Sequence, residues 1–175
     1  MITGAHLCSK CRKETPSIPP GSPADRAITG GLCQECFQHV AESGMPLADF
    51  LDGLEAPVLL VDSDVVVKAT NQVARTMLGK DISQVQGYRG GDVFVCAYAR
   101  LPEGCGRTVH CSGCAIRRSV METFTTGKSL RNVPAHLDRQ IDNHFQQLGL
   151  RISTEKAWNL VLLRIDYIGP SREVH

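Results

Sequence analysis

The chain has 175 residues, 42% of them hydrophobic and 21% charged, which suits one ordinary domain with a small module beside it. Its 19 Lys and Arg against 18 Asp and Glu leave a formal charge of +1, which excludes a global electrostatic pull toward nucleic acid or an anionic membrane surface. No apolar run nears the roughly 20 residues that span a bilayer, and "MITGAHLCSKC" has no basic segment followed by an apolar core, so a cytoplasmic address without membrane contact is expected.

Eight cysteines fall into two groups of four. In a reducing compartment, clustered thiols more often hold metal or carry redox chemistry than form structural disulfides. The first group is Cys8-x2-Cys11, then 21 residues, then Cys33-x2-Cys36. Each CxxC knuckle turns two sulfurs inward, and two knuckles complete a tetrahedron around zinc at about 2.3 Å. The segment between them, "RKETPSIPPGSPADRAITGG", is rich in Pro, Gly and Ser and reads as loop. After Cys33, "QECFQHVAES" reads as a helix with Phe37 and Val40 on one face. Residues 5 to 43 thereby resemble a treble-clef zinc finger. Four thiolates leave no open position for water or substrate, so the expected role of this zinc is structural.

From Met45 the texture changes. "MPLADFLDGLE" carries Leu47, Phe50, Leu51 and Leu54 at helical spacing, with Pro46 in the first turn. "APVLLVDSDVVVKATN" reads as two strands joined by a turn at Asp62-Ser63-Asp64. "NQVARTMLG" reads as a short helix, Asn71 at its start and Gly79 after its last turn. A longer helix is expected over 115–126, with Ile116, Val120 and Phe124 as its core stripe and Met121 beside them. "LRNVPAHLDRQ" is a weaker strand whose Pro134 suggests an edge or bend. "HFQQLGLRIST" alternates, with Leu148, Leu150 and Ile152 on one face. "AWNLVLLRIDYI" reads as a denser strand partly buried on both faces, with Trp158 and Tyr167 as core and rim.

This order of helix, two strands, short helices, longer helix and three strands resembles a PAS domain over residues 46 to 169. The residues that carry the resemblance are "LEAPVLLVDSDVVVKATNQVARTMLG" at 54–79, the helix at 115–126 and the three final strands. It implies an α+β fold, a five-stranded antiparallel sheet with helices on one face and a ligand or cofactor between them. Asn71 occupies the place of an asparagine that PAS domains often carry after the second strand. A profilin-like or GAF-like sheet is the competing reading. The expected organisation is a zinc-finger module at 1–43, a sensor domain at 44–170 and a tail at 171–175.

The second group, Cys96-x8-Cys105-x5-Cys111-x2-Cys114, lies where a PAS fold places its cofactor-facing helices. Only its last pair is a CxxC knuckle, and Ala115 stands where covalent haem would require histidine. Tight, irregular cysteine runs closed by a longer reach suit iron–sulfur clusters. The resemblance points the same way, since some PAS sensors hold such clusters. An iron–sulfur cluster and a second zinc both remain open at this stage, as do regulatory disulfides and free thiols. Arg107, Arg117, Arg118 and His110 are candidate donors to sulfur, whereas His136 and His144 are not expected to be ligands.

Phosphate loops, nucleophile elbows, HExxH and kinase signatures are all missing from the sequence, so a non-enzymatic role is expected. The leading expectation is an intracellular sensory or signalling protein whose cysteine-ligated centre responds to redox state or a small ligand. Its output would pass through a protein partner, and a homodimer is expected through "LADFLDGL". The alternatives are a zinc-dependent adaptor that binds protein or nucleic acid with both groups structural, and a small metal-dependent oxidoreductase.

Overall fold

The computed structural model describes residues 6–7, 14–15, 47–141, 144–157 and 159–171. The chain divides between Glu55 and Ala56 into two units.

In the first unit, β1 (His6–Leu7) and β2 (Glu14–Thr15) form an antiparallel pair, with His6 opposite Thr15. The pair brackets the first knuckle in the sequence, but Cys8, Cys11, Cys33 and Cys36 lie outside the described residues, as does Trp158. Helix α1 (Leu47–Asp52) forms where the apolar spacing places it, with Leu51 buried and Leu47 exposed. The Gly53 amide closes it on the Asp49 carbonyl at 3.1 Å.

The second unit is the PAS-like part. Its sheet has five antiparallel strands: β3 (Val58–Val61), β4 (Val67–Thr70), β5 (Leu130–Ile141), β6 (His144–Ala157) and β7 (Leu160–Pro170). They lie in the order β4-β3-β7-β6-β5, so the first strand pairs with the last. Strand β3 sits inside the sheet, and all four of its residues are buried. Pro134 falls on β5, an edge strand, where its missing amide costs no ladder bond on the open side. Leu148, Leu150 and Ile152 are buried on β6 as the alternation predicts, with an irregularity in the β6–β7 register between Arg151 and Ile152. The last strand begins at Leu160; Ala157, assigned to it from the sequence, instead ends β6 opposite Leu160. Tyr167 is exposed on β7, at the rim.

Asn71 joins the first two strands to the first helix of this unit, α2 (Gln72–Leu78). Its side chain is fully buried. Oδ1 accepts from the Val58 amide at 3.1 Å and from the Ala74 amide at 3.0 Å, and Nδ2 donates to the Ala56 carbonyl at 2.8 Å. One side chain therefore caps α2 and pins the start of β3. Gly79, at φ 62, ends the helix in the left-handed conformation that favours glycine.

After the short helix α3 (Gly90–Val93), helix α4 (Ala115–Thr126) packs on β5, β6 and β7. Ile116 and Val120 are buried as expected, but Met121 is exposed, and Ser119 and Thr123 complete the buried face instead. A helix turns 100° per residue, so Met121 rotates past the stripe defined by 116 and 120, whereas 119 and 123 fall on it. Thr123 is tolerated in the core because its hydroxyl meets Thr154 Oγ1 at 2.7 Å and donates to the Lys128 carbonyl at 2.9 Å. The main core contains Leu59, Val61, Phe94, Val120, Ile152 and Leu163, with Cys96 and Cys114 packed against it.

Candidate functional site

The segment from Gly90 to Cys114 is short on regular structure and held by a few anchors. Val93, Phe94 and Ala97 are buried and fix the approach to Cys96. Cys96 forms an isolated bridge to Arg139 of β5, which ties it to the sheet edge. Immediately before it, Val95 is held at φ 60. A β-branched residue in this region costs on the order of 1–3 kcal/mol, and such strain concentrates at functional sites. Gly104 and Gly106, at φ 74 and 87, turn the chain on either side of Cys105. A 3-10 turn at Val109–Gly113 then leads to Cys114, the N-cap residue of α4.

These turns bring the second cysteine group together. Cys96, Cys105, Cys111 and Cys114 all line one cavity of about 260 Å³, beside Gly91 and Ile116. All four are half-buried and none is in a disulfide. Among the described residues, no three His, Cys, Asp or Glu side chains are grouped tightly enough to hold a single metal ion. Tyr98, His110, His136 and Asp138 form another part of the wall. The His110 ring stacks on Tyr98 with centroids 3.9 Å apart, and Tyr98 Oη donates to Asp138 Oδ2 at 2.9 Å.

The sulfurs differ in their surroundings. Burial pushes the Cys96 thiol up against the amides of Tyr98 and Ala99, and the nearby charges of Cys114 and Cys111 add to the rise. Burial likewise raises Cys105, with Cys111, Asp92 and Cys114 adding, while the Gly91 amide opposes it. Burial also works on Cys111, but hydrogen bonds with the Thr108 side chain and the amides of Gly106 and Thr108, together with the Arg117 charge, outweigh it and leave this thiol below its ordinary range. The charges of Cys111 and Cys114 thus bear on both Cys96 and Cys105.

The donors to sulfur are not the ones the sequence suggested. Among the described residues, the Gly91 amide donates to Cys105 Sγ at 3.3 Å and the Gly106 amide to Cys111 Sγ at 3.1 Å. The Thr108 hydroxyl meets Cys111 Sγ at 3.2 Å. Arg117 is instead paired with Asp64 Oδ1 at 3.1 Å, in the turn between β3 and β4. Arg89, which sequence reasoning passed over, donates to the Cys105 carbonyl at 2.8 Å. Its backbone also bridges to Val66, just before β4. His110 and Arg117 line the cavity without donating to sulfur, and His136, set aside from the sequence, lies on its wall. The pair Gly90-Gly91 was the available signal for a close approach, and Thr108 three residues before Cys111 was the signal for a hydroxyl at the sulfur.

No family model matches the chain, and no curated protein matches it. Solved structures with similar folds include a domain of a sensory box sensor histidine kinase/response regulator from Geobacter sulfurreducens, at 14% identity and a TM-score of 0.46, covering 75% of this chain and 96% of that one. A LOV protein from Rhodobacter sphaeroides gives 15% identity and a TM-score of 0.46 over 82% of this chain and 71% of that one. The PAS domain of nitrogen regulation protein NR(II) from Vibrio parahaemolyticus gives 10% and 0.43, over 69% of this chain and 97% of that one. These likenesses concern the fold alone. No described helix is long and apolar enough to cross a membrane.

Proposed function

We propose that this chain is a sensory protein whose PAS-like unit holds an iron–sulfur cluster through Cys96, Cys105, Cys111 and Cys114. The observation that carries the proposal is the convergence of these four thiols on one cavity. The irregular spacing Cys96-x8-Cys105-x5-Cys111-x2-Cys114, with a single CxxC knuckle, favours a cluster over a second zinc, which a pair of knuckles would suit better.

The donor set also fits. Amides of Gly91 and Gly106 and the Thr108 hydroxyl point at sulfur, which stabilises negative charge on thiolates. The site is close-packed at Gly91, where an added Cβ would come within 2.7 Å of Cys105 Sγ and 3.0 Å of Cys105 Cβ. When bound, a cluster would supply a redox-active centre that oxidants can degrade.

Three ties lead from the cysteine segment to the sheet: Arg89 to the Cys105 carbonyl, Arg117 to Asp64, and Cys96 to Arg139. A change in the order of residues 104–114 reaches the β3–β4 turn and the β5 edge through them. A protein partner, or a second copy of the chain, would read that change as output. The first cysteine group, Cys8, Cys11, Cys33 and Cys36, would hold a structural zinc on the strength of its two knuckles.

Absorption spectroscopy on protein purified without air tests the reading. Broad visible absorption that bleaches in air, with hydrogen exchange rising at 111–120, is the expected result. A colourless protein whose exchange is indifferent to oxidant would make the adaptor reading the better one.

A further inference from the structure

Gly91 stands out because its backbone does not need glycine. Its φ lies outside the left-handed region, unlike those of Gly104 and Gly106. What it needs is space. A Cβ there would sit 2.7 Å from Cys105 Sγ, 3.0 Å from Cys105 Cβ and 3.1 Å from Ala99 Cβ. The last two atoms are bonded directly to backbone and cannot swing aside as the end of a long side chain can. The backbone of this one residue also reaches two cysteines. The Gly91 amide donates to Cys105 Sγ at 3.3 Å, and the Gly91 carbonyl accepts from the Cys96 amide at 2.7 Å. These are the two cysteines farthest from the CxxC knuckle in sequence, and no short spacing holds them in place.

We propose that Gly91 is the positioning residue of the cysteine site, seating Cys105 by its amide and Cys96 by its carbonyl, and that its amide tunes whatever thiolate-bound group the site holds. The seating concerns the protein alone; the tuning rests on the cluster reading above. An amide donating to a ligand sulfur stabilises the more negative, reduced form, so its loss makes the group harder to reduce.

The test uses the full chain in two states. In reduced, metal-free protein, amide hydrogen exchange is compared in wild type, Cys105→Ala, Gly91→Ala and Gly149→Ala. Cys105→Ala keeps the Cβ and removes only the sulfur, and it should speed exchange at the Gly91 amide about fivefold, as expected for one lost hydrogen bond. Gly91→Ala should speed exchange at the Cys96 amide by a similar factor. Gly149, on β6, has no positive φ, meets only ordinary contacts of 3.5 Å or more at its would-be Cβ and does not line the cavity, so Gly149→Ala should change neither. In iron-reconstituted protein, Gly91→Ala should hold less iron and shift its midpoint potential to more negative values than Gly149→Ala. Unchanged Gly91 exchange in Cys105→Ala would overturn the proposal without requiring Gly91→Ala to fold. So would a Gly91→Ala variant indistinguishable from Gly149→Ala. If wild type takes up no iron, the cluster reading fails, while the exchange measurements still decide the seating role of Gly91.

Discussion

Replacing Asn71 with Ala removes three hydrogen bonds from a fully buried position. Loss of the cap on α2 costs about 1 kcal/mol. The Val58 amide and the Ala56 carbonyl lose their partners where the structure gives water little access, at roughly 1–3 kcal/mol for each group left unsatisfied. Relaxation of the chain ahead of β3 recovers part of this, so a net loss of about 3 kcal/mol is the working figure. For a chain of this length each kcal/mol moves the melting temperature by about 2–4 °C, which gives a fall of about 6–12 °C. Asn71→Asp keeps the acceptor for Val58 and Ala74 but sets a carboxylate against the Ala56 carbonyl, so it should also destabilise. Thermal melting followed by circular dichroism, with urea unfolding to check that the slope is unchanged, measures both variants. A shift for Asn71→Ala within about 2 °C, less than 1 kcal/mol on this scale, would refute the reasoning.

Thr123→Val should cost about 1–3 kcal/mol, because Thr154 Oγ1 keeps its place in the core but loses its 2.7 Å partner; urea unfolding reads this, and a neutral result would mean water reaches the pair. Asp62 offers a pH test. Burial raises its carboxyl, but the amides of Val66 and Asp64 and the Lys68 ammonium outweigh burial and hold its pKa below the usual range. A group depressed in the folded state contributes stability above its unfolded pKa and loses it as pH falls through the folded one. Wild type should therefore lose this contribution below about pH 4, while Asp62→Asn shows a flatter acid limb in pH-dependent melts; parallel limbs would contradict the assignment. Cys33→Ser should release zinc from the first cysteine group and leave the melting of the PAS-like unit unaltered, read by metal analysis and limited proteolysis; retained zinc would exclude Cys33 as a ligand.

Elements with strong periodicity were legible in the sequence. Helix α4 runs over the residues its apolar spacing marks, and α2 begins and ends at Asn71 and Gly79 because capping and left-handed turns are local chemistry. The hairpin of β3 and β4 was legible for the same reason, although its turn is wider than Asp62–Asp64 and places Val65 at φ 62. Met121 was misplaced because it follows Val120 directly, and one residue turns the helix by 100°, off the face that Ile116, Ser119, Val120 and Thr123 share. At the site, four cysteines could be named from spacing, since sulfur is scarce and its clustering is visible. Their surroundings could not. Gly91 acts through its peptide, which every residue carries, and only its missing side chain sets it apart. Arg117 was a candidate donor to sulfur and Arg89 was passed over, yet the fold sends Arg117 to Asp64 and Arg89 to the Cys105 carbonyl. Tyr98 and Asp138 meet across forty residues, a separation that no local pattern encodes.

Cys96, Cys105, Cys111 and Cys114 line one cavity and are proposed as one cofactor site. Iron, sulfide and zinc analysis of protein purified without air tests it most directly, in wild type and in the four single Cys→Ser variants. Wild type should carry iron with matching sulfide, and each variant should lose iron, with zinc content the same throughout. Zinc in place of iron, filling both cysteine groups, or iron that survives the Cys96→Ser change, would contradict it.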